Sequence, residues 1–91
     1  MLILKERRRQ KRYLISLPVT YLFSDKHKVD SNDGTAFDFS DSGMSFYTDT
    51  PLFKGHNLQV HTQIWKSSQK SIVKWCSKKY LNIYKVGVSF S

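Results

Sequence analysis

Asn57-Leu58-Gln59-Val60-His61-Thr62-Gln63-Ile64 alternates polar with apolar or β-branched side chains over its whole length. A period of two sustained over eight residues is the pattern of a strand with one face in a core and the other in water. Leu58, Val60, Thr62 and Ile64 are therefore expected inside, and Asn57, Gln59, His61 and Gln63 outside. Toward the C-terminus, residues 66–70 read as a hairpin loop and residues 71–76 as the return strand. Residues 77–82 then connect to a last strand in which Tyr84, Val86, Val88 and Phe90 share a face. Toward the N-terminus, residues 51–55 form a turn, and Met44 with Phe46 open another strand. Before it come the turn at 40–43 and the segment 35–39, with Thr35, Phe37 and Phe39 on one face. Residues 24–34, rich in Asp, Ser, Asn and Gly, read as a polar loop. The chain's first strand places Tyr13, Ile15, Leu17, Val19, Tyr21 and Phe23 together, with Pro18 marking an edge or a bulge. Ala and Glu occur once each, so little favours helix. The expected fold is all-β, six antiparallel strands in a small barrel or sandwich, with edges that closure would remove.

Ninety-one residues with 40% hydrophobic and 24% charged content make one small globular domain. The single cysteine, Cys76, excludes an intrachain disulfide and fits a reducing, cytoplasmic setting. The apolar run at residues 1–4 is far too short for a membrane span, so no membrane insertion is expected. Net charge is +8, and its distribution matters more than its size. The first twelve residues hold Lys5, Arg7, Arg8, Arg9, Lys11 and Arg12 against Glu6 alone. The rest of the chain carries +3, nine lysines against six aspartates, and no further arginine. Residues 1–12 thus read as a flexible basic arm on a barrel domain of residues 13–91. Clustered guanidinium forks point to a phosphate-bearing partner.

Two short patterns carry chemistry. Arg8 and Arg12 form an R-x-x-x-R spacing preceded by Arg7, although an arm this rich in arginine produces such a spacing almost unavoidably. Asp38-Phe39-Ser40-Asp41-Ser42-Gly43 is a D-x-S-x-x-G spacing at a strand end. A carboxylate there can accept the two donors of a guanine N1–H and N2–H₂ edge, with a hydroxyl beside it. Gly43 can adopt φ > 0 and lets a ligand approach the backbone. The plainer reading is an Asx-turn closing a hairpin. Trp75 shares the parity of Val73 and reads as core, with Cys76 facing the other way and inert. His27, His56 and His61 are scattered, so no metal site is expected. No spacing of Ser, His and Asp marks a catalytic set, and an enzyme is not expected.

Taken together, the two patterns resemble the PilZ domain, the bacterial receptor for cyclic di-GMP. Glu6-Arg7-Arg8-Arg9 with Arg12 is similar to the family's opening, Leu17-Pro18-Val19 to its first strand, and Asp38-x-Ser40-x-x-Gly43 to its second signature. Val73-Lys74-Trp75 and Val86-Gly87-Val88-Ser89-Phe90 resemble its fifth and sixth strands. The resemblance implies a split β-barrel, here without the C-terminal helix found in many members. It implies cyclic di-GMP as ligand and no other cofactor. Arg8 and Arg12 would clamp phosphates and guanine Hoogsteen edges. Arg7 would stack on or bridge a second ligand. Asp38 and Ser40 would read a guanine, Gly43 would keep the turn open, and Trp75 is a secondary stacking candidate. Ligand binding would fold the arm over the barrel mouth and signal to a protein effector. One alternative is a small basic barrel binding single-stranded nucleic acid, motivated by the +8 charge and 14% aromatic content. The neutral face of Asn57, Gln59, His61 and Gln63 counts against it. Another is a degenerate module that binds only protein, which two intact signatures oppose.

Overall fold

The period-two segments become six strands. The computed structural model of the chain describes residues 13–25 and 28–91. Its strands are β1 (Tyr13–Asp25), β2 (Lys28–Ser40), β3 (Gly43–Thr48), β4 (Asn57–Thr62), β5 (Gln69–Tyr80) and β6 (Ile83–Phe90). The described residues contain no helix. Every neighbouring pair is antiparallel, and the order β1-β2-β3-β6-β5-β4 closes where β4 returns to β1. The core is built as alternation dictates. Leu58, Val60 and Thr62 point in from β4, Met44 and Phe46 from β3, Val86 and Val88 from β6, and Val19 and Tyr21 from β1.

Three departures from the sequence reading concern strand length. Within the expected loop 24–34, residues 24–25 and 28–34 are strand: β1 and β2 stay paired to Asp25↔Lys28. Their polar composition reflects a ladder wetted on its outer side, where Thr20 Oγ1 donates to Asp33 Oδ1 at 3.4 Å. Residues 77–82 are likewise mostly strand, because β5 continues to Tyr80 and only Leu81 and Asn82 make the turn. β4, by contrast, stops at Thr62. The amide of Trp65 donates to the Thr62 carbonyl (3.1 Å) and that of Ile64 to Thr62 Oγ1 (3.3 Å), which leaves Ile64 exposed. This turn carries Trp65 back onto the barrel end, edge-on to Phe90 with ring centroids 5.5 Å apart. Trp65, Phe39 and Phe90 cover that end.

The other departures concern parity. A bulge between Ala36 and Asp38 puts Ala36 in the core and Phe37 outside, on the Tyr47 ring at 4.6 Å, while Phe39 still packs inward. Thr35 is exposed. A bulge between Val73 and Trp75 turns Trp75 outward and Cys76 inward, the reverse of the sequence expectation. One extra residue shifts every later side chain by one face, and simple alternation cannot register it. Tyr13, expected inside, is partly exposed at the strand's start and packs on Phe39 at 5.8 Å.

Tyr21 is fully buried, and its hydroxyl bonds Thr48 Oγ1 at 2.7 Å. Burial raises its pKa above the usual 10.0, against the opposing effect of the Thr48 hydrogen bond. The unfolded chain therefore ionises first, and the stability tied to Tyr21 is complete below about pH 10 and lost as pH rises through the folded value. Tyr21→Phe should cost about 1 kcal/mol, or a melting temperature lower by roughly 4–8 °C at neutral pH. It should also flatten the alkaline limb of the stability profile. Thermal melts of both proteins from pH 7 to 11 check this.

Candidate functional site

The β2–β3 hairpin closes tightly, with Ser40 opposite Gly43 and only Asp41 and Ser42 at its tip. Ser40 is buried, and its hydroxyl accepts the Ser42 amide at 3.4 Å. The serine therefore supports the turn, in the role the plain reading gave to the aspartate. Gly43 differs from expectation in its reason rather than its place. Among the described residues Gly55 alone has a positive φ, 95°. Gly43 is required instead because a Cβ there would collide with the Val88 carbonyl of β6. The glycine lets β3 and β6 pair closely behind the turn.

The register carries this hairpin across the barrel wall. Asp38 pairs with Ser45, Ser45 with Gly87, and Gly87 with Trp75. Neighbours on either side, Met44 and Phe46 in β3 and Val86 and Val88 in β6, point into the core, so this row faces outward. The indole of Trp75 lies on Gly87, where a Cβ would collide with the ring, yet Trp75 remains 43% exposed. Between the turn and the indole runs a groove of about 230 Å³. Small residues, among them Gly43, Ser45, Gly87 and Ser89, make its bed; Ser42 stands on one side, and Lys74 with Trp75 on the other. A bed without large side chains lets a planar ligand reach the wall, a lysine offers charge to an anion, and the indole offers a stacking face. A second cavity of about 190 Å³ abuts the same turn, between Ser40, Asp41, Trp65 and Phe90.

The structure thus brings Gly43 and Trp75 to one groove and Asp38 to the same outward row through its pairing with Ser45, while Ser40 is buried and lines the neighbouring cavity. Arg7, Arg8 and Arg12, with the whole arm, lie outside the described residues, as does His27. The described chain begins at Tyr13, which pairs with Phe39 inside the D-x-S-x-x-G segment. Sequence reading missed Ser45, Lys74, Gly87 and Ser89. Gly87 carried a usable signal, since a glycine within an alternating strand marks a close approach. Lys74 carried none, because its place depends on the bulge. A larger groove of about 560 Å³ lies elsewhere, along Leu22, Leu58, Gln59 and Lys70. It has one cation but no aromatic face, so the smaller groove, where Lys74 stands beside Trp75, better suits a ligand that joins phosphate to a planar ring. Among the described residues no three His, Cys, Asp or Glu side chains gather as a metal site. His56 accepts the Phe53 amide through Nδ1 at 3.2 Å and packs against Phe23. No helix of the described residues is long and apolar enough to cross a membrane.

The sequence model of the PilZ domain matches residues 6–91. No curated protein matches the chain. Several solved structures share its fold. The PilZ domain of YcgR from Escherichia coli, solved with c-di-GMP, superposes with a TM-score of 0.69 at 18% identity, covering 93% of this chain and 78% of that one. The Bacillus subtilis inhibitor of motility MotI/DgrA gives a TM-score of 0.70 at 13% identity, covering 94% of this chain and 43% of that one. The K. pneumonia MrkH–c-di-GMP complex gives 0.63 at 16% identity, over 94% and 44%. The chain thus spans less than half the length of the last two.

Proposed function

The chain belongs to the PilZ domain family, and on that premise we propose that it is a non-enzymatic, cytoplasmic receptor for cyclic di-GMP. The observation that carries the reading is the pairing of Tyr13 with Phe39. Tyr13, the residue that follows Arg12 in the sequence, thus lies against the D-x-S-x-x-G segment, although the R-x-x-x-R and D-x-S-x-x-G spacings are about thirty residues apart. The YcgR PilZ-domain and MrkH structures, both with c-di-GMP, support the ligand. In this reading Arg8 and Arg12 clamp phosphates and guanine edges from above, and Asp38 accepts from a guanine below. Ser40 and Gly43 hold the turn that presents Asp38. Trp75 stacks on a base, and Lys74 adds charge beside it. Closure of the arm over the groove is the shape change passed to a protein effector.

Trp75→Ala should weaken cyclic di-GMP binding about tenfold, the scale of one lost base–aromatic stack. Its melting temperature should barely move, because the ring is half outside the fold. A calorimetric titration reads the first effect, and a thermal melt followed by the fluorescence of the retained Trp65 reads the second.

The residue before R-x-x-x-R sets stoichiometry. Arg7 is a planar cation able to stack on a guanine and reach a second set of phosphates, which an apolar side chain cannot do. Two dinucleotides should bind per domain, and one after Arg7→Leu. Calorimetry at protein concentrations well above the dissociation constant tests the function and the ratio together. Saturable binding of cyclic di-GMP with only a weak, salt-sensitive response to a single-stranded oligonucleotide is expected. A stronger response to the oligonucleotide would favour the nucleic-acid reading.

A further inference from the structure

The β5–β6 hairpin runs past the barrel that holds it. β3 pairs with β6 only as far as Thr48↔Tyr84, and β4 with β5 only to Asn57↔Ile72. β5 and β6 go on pairing with each other to Tyr80↔Ile83. All residues from 77 to 83 are exposed. At the tip Leu81 is 84% exposed, Tyr80 69% and Ile83 38%. Single exposed apolar residues need no explanation, but three within four residues on a projecting turn do.

Charge surrounds this point. Residues 50–91 contain seven lysines and no acidic residue. Lys79 Nζ lies 5.8 Å from the Tyr47 ring centre and 6.0 Å from that of Tyr80, and Lys85 Nζ lies 5.2 Å from that of Phe37. Lys79 and Lys85 thus put charge on an aromatic ridge behind the tip, and Lys78, opposite Tyr84, adds an exposed cation on the hairpin's other face.

We propose that the hairpin tip is a peripheral contact for an anionic membrane surface. Leu81, Tyr80 and Ile83 enter the boundary between headgroups and acyl chains, and Lys78, Lys79 and Lys85 lie against anionic headgroups. The choice of cation favours this partner. Every cation beyond Arg12 is a lysine, a flexible point charge suited to a diffuse headgroup field. Lysine is depleted where proteins meet proteins. Of the three tip residues only Tyr80 could stack on a base, and Leu81, the most exposed, could not. The apolar tip is small, so attachment needs both lipid contact and charge and is reversible. The inference stands apart from the ligand-site reading, since Trp75 and Gly87 lie nearer the hairpin's base.

Sedimentation of the full chain with vesicles of phosphatidylcholine, with and without phosphatidylglycerol, tests it. Partition onto the anionic vesicles alone is expected. A Tyr80→Ser/Leu81→Ser double variant should lower that partition about tenfold or more with an unchanged melt, and Lys78→Gln/Lys79→Gln should lower it as well. A dye on Leu81→Cys in a Cys76→Ser background should shift to the blue on the anionic vesicles. Three results would overturn the proposal: no partition onto anionic vesicles, partition that the tip variant leaves intact, or oligonucleotide binding that the tip variant weakens instead.

Discussion

Replacing Arg8, Arg12 or Asp38 with alanine should each lower affinity for cyclic di-GMP by about ten- to a hundredfold while leaving the barrel folded. A hydrogen bond to a charged group contributes about 1.5–3 kcal/mol, which converts to that range. The arginines lose more than charge, because their fork matches phosphate oxygens and the O6/N7 pair of guanine in a way no lysine reproduces. Arg12→Lys should therefore recover little of the affinity lost in Arg12→Ala. Asp38 sits on a strand that Ser45 and Leu14 already pair on both sides, so its removal leaves the β1–β2–β3 ladder in place. Asp38 does not belong to the buried core. Calorimetry paired with thermal melts separates lost binding from lost fold, and unchanged affinity in all three variants would remove the basis of the receptor reading.

The largest effect on stability is expected at Phe46. Its side chain is fully buried at the centre of the ring of strands, with its ring centroid 5.3 Å from that of Tyr21. Phe46→Ala removes the transfer free energy of the ring and leaves a cavity that Val19, Ala36 and Val86 are too short to fill, for a cost of about 3–5 kcal/mol. Small domains have about 5–15 kcal/mol in total, so much of the fold's margin goes with one ring. A melting temperature lower by more than about 12 °C follows from the usual conversion. Phe53→Ala, at a site 66% exposed, is the matched control and should stay within about 0.5 kcal/mol of the parent.

What could be read in advance follows from the kind of signal each feature leaves. β4 alternates cleanly because it has one wet and one dry face, and Leu58 and Val60, like Val86 and Val88 in β6, went where their parity placed them. The D-x-S-x-x-G turn was visible because turns demand particular residues at fixed offsets. Bulges leave no such mark. The one between Val73 and Trp75 adds a residue without changing composition, so Trp75 read as core and Cys76 as surface, when each is the other. The long hairpins were hidden for a related reason. Where a ladder runs beyond the core both faces meet water, so residues 77–80 look like loop although their backbones pair; residues 31–34 look like loop because small and polar residues sit opposite the buried Val19 and Tyr21. Gly43 was located correctly from the motif, but its cause, the Val88 carbonyl of a strand more than forty residues away, is a tertiary fact.

The central claim is that the arm and the β2–β3 turn close together on one ligand. Amide hydrogen exchange with and without cyclic di-GMP tests it most directly, because it reports on both segments in one experiment. The account predicts that ligand slows exchange at residues 5–12 and 38–45 together, with little change along Asn57–Thr62. Protection confined to the arm, or appearing on β4 without the turn, would contradict it.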